Sequence, residues 1–263
     1  MPRVGDDLSQ LEMVAKALSR AYAVAVLTGA GISAESGVPT FRGPDGLWRQ
    51  FRAEQLATPE AFAREPALVW EWYRWRRDRL ASVSPNAGHL ALARIESRLP
   101  TFTLITQNVD GLHARAGSRR VLELHGSIWR DRCTGDASHR LERWPTASTS
   151  PCGDALPRCP CGALLRPDVV WFGESLDAGR LEAAADAVRT AEILLVIGTS
   201  SVVYPAAALP GLARRAGARV VEINPEDTPL SGEVDVALRG LAGVLLPALE
   251  QAAFGGPFSG PLP

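Results

Sequence analysis

Thr28-Gly29-Ala30-Gly31-Ile32-Ser33-Ala34 directly follows the apolar run Ala23–Leu27. Small residues at this spacing, after a strand, match the G-x-G-x-x-G/A phosphate loop, in which the backbone approaches a pyrophosphate. Backbone N–H groups at the start of the next helix would face the anion. The same residues also suit a simple tight turn. The continuation Glu35-Ser36-Gly37-Val38-Pro39-Thr40-Phe41-Arg42-Gly43 ends the helix earlier than a dehydrogenase would. Phe41 then offers an aromatic face and Arg42 a planar fork suited to phosphate oxygens.

A second chemistry is carried by sulfur. Cys133, Cys152, Cys159 and Cys161 are the only cysteines. In a chain without a secretory signal, clustered cysteines bind metal more often than they pair. Two disulfides or unliganded thiols are the alternatives. Residues 131–166 are rich in Cys, Pro, Thr and Ser and lack apolar periodicity, so this stretch needs a staple.

The elements that position these groups alternate. Leu8, Leu11, Val14 and Leu18 recur at helical spacing, and Pro66–Val83, Asn86–Leu99, Leu181–Arg189 and Leu241–Gln251 read as further helices. Between them lie strand-length runs at Ala23–Leu27, Thr101–Thr106, Val121–Leu124, Val169–Phe172, Ile193–Ile197 and Arg219–Ile223. Runs of this kind, buried on both faces, imply an α/β fold with a Rossmann-like parallel sheet and helices on both sides. Segments 40–85 and 131–166 break the alternation and are expected to form a smaller lobe. One domain over 1–252 is then expected, with the Gly- and Pro-rich 253–263 a flexible tail. With 263 residues, the chain has the length of one large domain with inserts. The 28 basic and 29 acidic residues argue against a partner bound through nucleic-acid phosphates. No apolar stretch is long enough for a membrane span. No secretory signal opens the chain, and a cytoplasmic location is expected.

Five motifs in order carry a family resemblance: GAGISAESGVPTFRG from Gly29, TQNVDGLH from Thr106, LHGS from Leu124, RPDVVWFGE from Arg166, and GTS from Gly198. Over roughly residues 8–250 the chain resembles the sirtuins, NAD-dependent protein-lysine deacylases. Its variants are similar to the class III branch, which includes enzymes removing acidic acyl groups. The resemblance implies that the acyl oxygen of an acyl-lysine attacks C1′ of the nicotinamide ribose. The products are nicotinamide, free lysine and 2′-O-acyl-ADP-ribose.

The resemblance makes His125 the catalytic base, a role its imidazole suits with an ordinary pKa near ~6.5. Asn108 orients the ribose or a water, and Gln107 contacts the ribose. Asp110 and the backbone near Ile32 read the nicotinamide carboxamide; a carboxylate is a fitting acceptor for its NH2. Gly29, Ala30, Gly31, Phe41 and Arg42 face the phosphates and the reaction face. Gly198, Thr199, Ser200, Asn224, Glu226 and Ala242 are expected along the adenosine. Val170, Phe172, Gly173, Glu174 and Val203 are expected to line a cleft where an acylated peptide adds as a strand. His89 and His113 are left structural.

Two features depart from or refine the pattern. Sirtuin zinc sites read Cys-x-x-Cys twice, whereas position 136 is Asp136 and the second pair, Cys159-Pro160-Cys161, is one residue short. The readings are a rearranged zinc site from all four cysteines, a partial site, or no metal; His139 or Asp136 could supply a ligand. Tyr73 and Arg76, three residues apart on one helix face, resemble the class III acyl-selectivity pair. A phenol and a guanidinium suit a chain ending in carboxylate, and Ala34 leaves it room, so desuccinylation is expected beside deacetylation. A cation–π cluster with the neighbouring tryptophans is the alternative. Other activities compatible with these motifs are protein ADP-ribosyl transfer, NAD sensing without catalysis, and hydride transfer.

Overall fold

A computed structural model describes residues 4–39, 56–142 and 156–255. The expected parallel sheet is present and has six strands. Strands β1 (Ala23–Thr28), β2 (Thr101–Thr106) and β3 (Val121–Glu123) are followed, after three strands of a separate sheet, by β7 (Ile193–Ile197), β8 (Arg219–Asn224) and β9 (Val236–Arg239). Their order is β3-β2-β1-β7-β8-β9, with β1 central and its Val26 opposite Leu104 and Leu195. All residues of β1 and β7 are buried, as a doubly covered sheet requires.

Helices α1 (Val4–Leu18), α5 (Ala87–Arg98) and α9 (Ala242–Phe254) cover one face through Leu11, Val14, Leu18, Leu92, Ile95 and Leu246. Helices α7 (Ala178–Thr190) and α8 (Leu209–Arg215) cover the other through Ala184, Val188 and Leu209. Burial of each leucine side chain contributes about 1.5–3 kcal/mol. The short helices α2 (Gly31–Ala34) and α6 (Leu112–Arg115) leave the carboxyl edge after β1 and β2.

A second cluster of core residues gathers α3 (Pro59–Arg64) and α4 (Pro66–Ala81) against an antiparallel sheet. That sheet, in order β5-β4-β6, comprises β4 (Gly126–Cys133), β5 (Arg140–Glu142) and β6 (Leu165–Val169). Phe62, Val69, Trp70, Tyr73, Ile128, Trp129, Leu165 and Trp171 fill the space between them.

Several boundaries differ from the sequence expectation. The strand expected at Val169–Phe172 lies earlier, at Leu165–Val169. Its alternation is disguised by Arg166 and Asp168, which are buried because they are paired, Arg166 with Glu174 and Asp168 with Arg130 and Arg140. Residues 171–174 form a turn instead, closed by Glu174 accepting from the Trp171 N–H and by Gly173 at φ 83°. Strands β4 and β5 carry too few apolar residues in alternation to be read from sequence, and β9 is only four residues long. Helix α9 runs to Phe254, so its last two residues fall in the stretch expected to be tail.

Candidate active site

Thr28, Thr106, Glu123, Ile197 and Asn224 end their strands on one side of the sheet, the carboxyl edge where ligands of open α/β folds bind. The loop after β1 folds onto the loop after β7. Gly29 N–H donates to Ile197 O at 3.0 Å, and Gly31 N–H to Gly198 O at 2.7 Å. A Cβ on Gly29 would lie 2.8 Å from Gly198 O and Thr199 Cα, and one on Gly31 would lie 2.7 Å from Gly198. These glycines are therefore demanded by loop-on-loop packing, in addition to any approach by a ligand. Gly198, at φ 58°, completes the contact. Ala30 and Ile32 lie at the start of α2, with Ile32 fully buried.

The loop after β2 lies beside them. Asn108 Nδ2 donates to Gly29 O at 3.0 Å and to Ser33 Oγ at 3.2 Å, and its N–H to Thr106 Oγ1 at 3.1 Å. Asp110 accepts from Ser33 Oγ at 2.8 Å and from Leu112 N–H at 2.9 Å. Burial raises its pKa, against the two hydrogen bonds and the nearby Arg76. Gln107 Nε2 donates to Thr199 Oγ1 at 3.1 Å, and Asn224 Nδ2 to Thr199 O at 3.2 Å, so both amides converge on Thr199.

His125 follows β3, where Gly126 begins β4. Its Nδ1 lies 2.9 Å from Gln107 O. A carbonyl only accepts, so Nδ1 carries the proton and Nε2 the lone pair. Burial lowers its pKa, while the Gln107 bond works the other way. The ring is a neutral base at neutral pH.

Tyr73 and Arg76 are both buried. Tyr73 Oη accepts from Trp171 Nε1 at 2.8 Å. The Arg76 guanidinium stands 4.8 Å from the Trp72 ring and 5.5 Å from the Tyr73 ring, so the cation–π cluster weighed as an alternative is present. Desolvation lowers the Arg76 pKa, and the neighbouring Tyr73 and Asp110 oppose that shift. Arg76 and Asp110 are thus close enough to sense one another's charge.

The remaining expected positions divide. Phe172, Val203, Val202 and Tyr204 are exposed apolar side chains, so Phe172 is not a core residue. Val170 N–H donates to His125 O at 2.9 Å, tying the segment after β6 to His125. Glu174 is committed to Arg166 and Arg132, which marks it as a brace of the turn. Ala34, Ser200 and Glu226 are exposed, and Ala242 is buried at the first turn of α9. Phe41, Arg42 and Cys152 lie outside the described residues.

Three of the four cysteines expected at the metal site come together, and the fourth, Cys152, lies outside the described residues. Cys133, Cys159 and Cys161 are joined by His139, with all four ligand atoms within 4.8 Å of one another. Cys133 Sγ is 3.4 Å from Cys161 Sγ, and Cys159 Sγ is 3.6 Å from His139 Nδ1. Three thiolates and an imidazole are a donor set suited to tetrahedral zinc. Asp136 stands 3.6 Å from the other ring nitrogen, Nε2, where a carboxylate orients a ligating histidine. Burial opposes it, but the N–H groups of Asp136 and Gly135 lower the Cys133 thiol to about 7, a cradle suited to thiolate. The cluster is consistent with a structural zinc.

Sequence reasoning missed four residues that hold these loops. Asn86 caps α5 and reaches Ile32 O at 2.7 Å; Glu35 accepts from Gly243 N–H at 2.7 Å, at the start of α9. His89 and His113 lie beneath Ser33 and Thr28. An Asn after Ser-Pro was legible as a cap; the histidines gave no local signal.

A profile described as the Sir2 family matches residues 29–205. The chain belongs to the Sir2 family. Among curated relatives, the NAD-dependent protein deacylase of Aquifex aeolicus is 55% identical over 81% of this chain and 87% of its own length. NAD-dependent protein deacylase 2 of Pyrobaculum aerophilum is 53% identical over 90% of this chain and 94% of its own. A solved Sir2 homologue in complex with ADP-ribose is 46% identical, with TM-score 0.86 over 92% of this chain and 96% of that one. A Sir2 homologue in complex with NAD, also 46% identical, has TM-score 0.83 over 92% and 93% of the two chains.

Proposed function

We propose that this Sir2-family chain is an NAD-dependent protein-lysine deacylase in which His125 is the general base. The observation that carries the reading is the Nδ1–H bond from His125 to Gln107 O, 2.9 Å, which fixes the tautomer of a neutral imidazole at the carboxyl edge. When bound, NAD supplies the electrophilic C1′ that accepts the acyl oxygen with release of nicotinamide, and one water, which provides the new acyl carbonyl oxygen, is consumed in giving free lysine and 2′-O-acyl-ADP-ribose. His125 Nε2 takes a proton from a ribose hydroxyl. Asp110 and the Ile32 backbone receive the carboxamide, Asn108 and Gln107 the ribose, and the 29–31 and 198–200 loops the phosphates and adenosine ribose. Asn224, Glu226 and Ala242 are assigned to the adenosine, Phe41 to shielding the reaction face and Arg42 to the phosphates.

The peptide adds between 170–173 and 202–205. The exposed Phe172, Val202 and Val203 support this, as does a solved Sir2 in complex with a p53 peptide and NAD, 30% identical over 94% of this chain. Tyr73 and Arg76 read a carboxylate-ended acyl chain, with Ala34 leaving space. A buried phenol and guanidinium on one helix face support desuccinylation as well as deacetylation. A cytoplasmic location fits a chain whose described residues include no helix long and apolar enough to cross a membrane. Mass spectrometry of products from NAD with acetyl- and succinyl-lysine peptides tests the reading. Acyl-ADP-ribose plus nicotinamide is expected; ADP-ribosylated peptide would indicate transferase chemistry, and NADH a dehydrogenase.

A further inference from the structure

His89 and His113 are 0% and 3% exposed, and no step described above uses them. Their rings pack at 4.8 Å between centroids, at 56°. From this pair run two hydrogen-bonded chains that end on the same loop. We propose that His89 and His113 are positioning residues that, as Nε2–H donors, fix the Ser33 and Thr28 hydroxyls and through them set Asn108 and Asp110 for the nicotinamide end of NAD.

Proton directions decide the argument. Asp110 is taken up with two donors, and Ser33 Oγ–H supplies one of them at 2.8 Å. The Ser33 oxygen also accepts Asn108 Nδ2–H, at 3.2 Å, and lies 3.4 Å from His89 Nε2. With the serine proton committed to the carboxylate, imidazole has to be the donor. The second chain repeats the logic. Thr28 Oγ1 donates to Thr106 Oγ1 at 2.8 Å and lies 3.0 Å from His113 Nε2, so this ring donates as well. Thr106 Oγ1 in turn accepts the Asn108 N–H at 3.1 Å. Asn108 is thereby held at its side chain through the His89 chain and at its backbone through the His113 chain.

Each ring leaves Nδ1 buried with no hydrogen-bond partner among the described residues. Two leucines would fill the volume without stranding a ring nitrogen, so donor capacity is what imidazole adds here. Burial holds His89 at about 4 and His113 well below its ordinary range, the neighbouring His89 adding to the latter. Both rings stay in the single-donor form that the chains require.

The proposal rests on the assignment of Asn108 and Asp110 to the nicotinamide end. ADP-ribose lacks that end, so calorimetric titration of NAD and of ADP-ribose separates positioning from general damage. His89→Leu, His113→Leu and the near-isosteric Thr28→Val should each weaken NAD about tenfold, the scale of one hydrogen bond, and leave ADP-ribose nearly unchanged. His89→Gln and His113→Gln, whose Nε2 can still donate, should recover most of the loss. Equal losses on both ligands, unchanged NAD affinity, or no recovery by Gln would overturn the positioning role. If the Leu variants do not fold, Thr28→Val carries the same comparison alone. Unchanged protein that binds neither ligand would overturn the deacylase reading, and the positioning role with it.

Discussion

A histidine serves as a base at neutral pH when it is unprotonated and its acceptor nitrogen is held in place, and both conditions at His125 come from its neighbours. Burial lowers its pKa and Gln107 O holds Nδ1–H. His125→Ala should fold and bind NAD yet lose deacylation by about a hundredfold or more, the scale of general-base removal. Because the folded pKa is lowered, the neutral base persists below the usual ~6.5, and kcat/KM should fall only as pH drops through that lower value. An acid limb centred above ~6.5 would contradict the assignment. Arg76 presents a different balance, since it already stacks on Trp72 and Tyr73. Arg76→Met keeps much of the apolar stem while removing the charge. It should reduce succinyl turnover about ten- to a hundredfold, the equivalent of a lost hydrogen bond to a charged group, and spare acetyl turnover. Equal losses on both peptides would show that Arg76 only braces α4.

At the scale of elements, the Cys-rich insert shows where sequence reading succeeds and where it stops. That 131–166 needs a staple was legible from its composition, because a stretch without apolar periodicity cannot bury a core of its own. The ligand set was legible in part. Three of the cysteines gather with His139, one of the two further ligands the sequence offered, and the fold places its imidazole beside Cys159, while Cys152 lies outside the described residues. The placement of His139 follows from the β4–β5 turn, which pairs Arg132 with Arg140 and brings His139 O to the Cys133 N–H at 2.9 Å. Five of the six strands of the parallel sheet were readable as apolar runs, which burial on both faces makes continuous in β1 and β7; the four-residue β9 was not. Strand β6 was misplaced because its charges are paired inside. Purified protein should contain about one zinc per chain. His139→Ala should lose it more readily to a chelator and melt lower, because metal binding is linked to folding. Cys152→Ala should do neither; equal zinc loss in the Cys152 variant would restore the four-thiolate site.

For the whole molecule, the buried histidines tie stability to acidity. Three imidazoles, His89, His113 and His125, have pKa values lowered by burial. Above ~6.5 neither folded nor unfolded chain protonates them, and they contribute no pH dependence. As pH falls below ~6.5 the unfolded chain takes up protons that the folded chain refuses, so stability is lost progressively. For His89 the loss continues down to about 4. Across that interval it amounts to about 3 kcal/mol, a substantial part of the ~5–15 kcal/mol typical of a folded domain. Asp110 and Glu123 act in the opposite sense. Burial raises their folded pKa values, so they take up protons before the unfolded chain does and offset part of the loss. Histidine losses begin near ~6.5, above the ordinary carboxyl range, so the melting temperature should already decline between pH 6.5 and 5. His89→Gln removes one of the three titrations and should flatten that decline relative to the unchanged chain, whatever its effect on absolute stability. Parallel melting curves for the two proteins across pH 7 to 4.5 would mean that His89 titrates in the folded state as it does in the unfolded one.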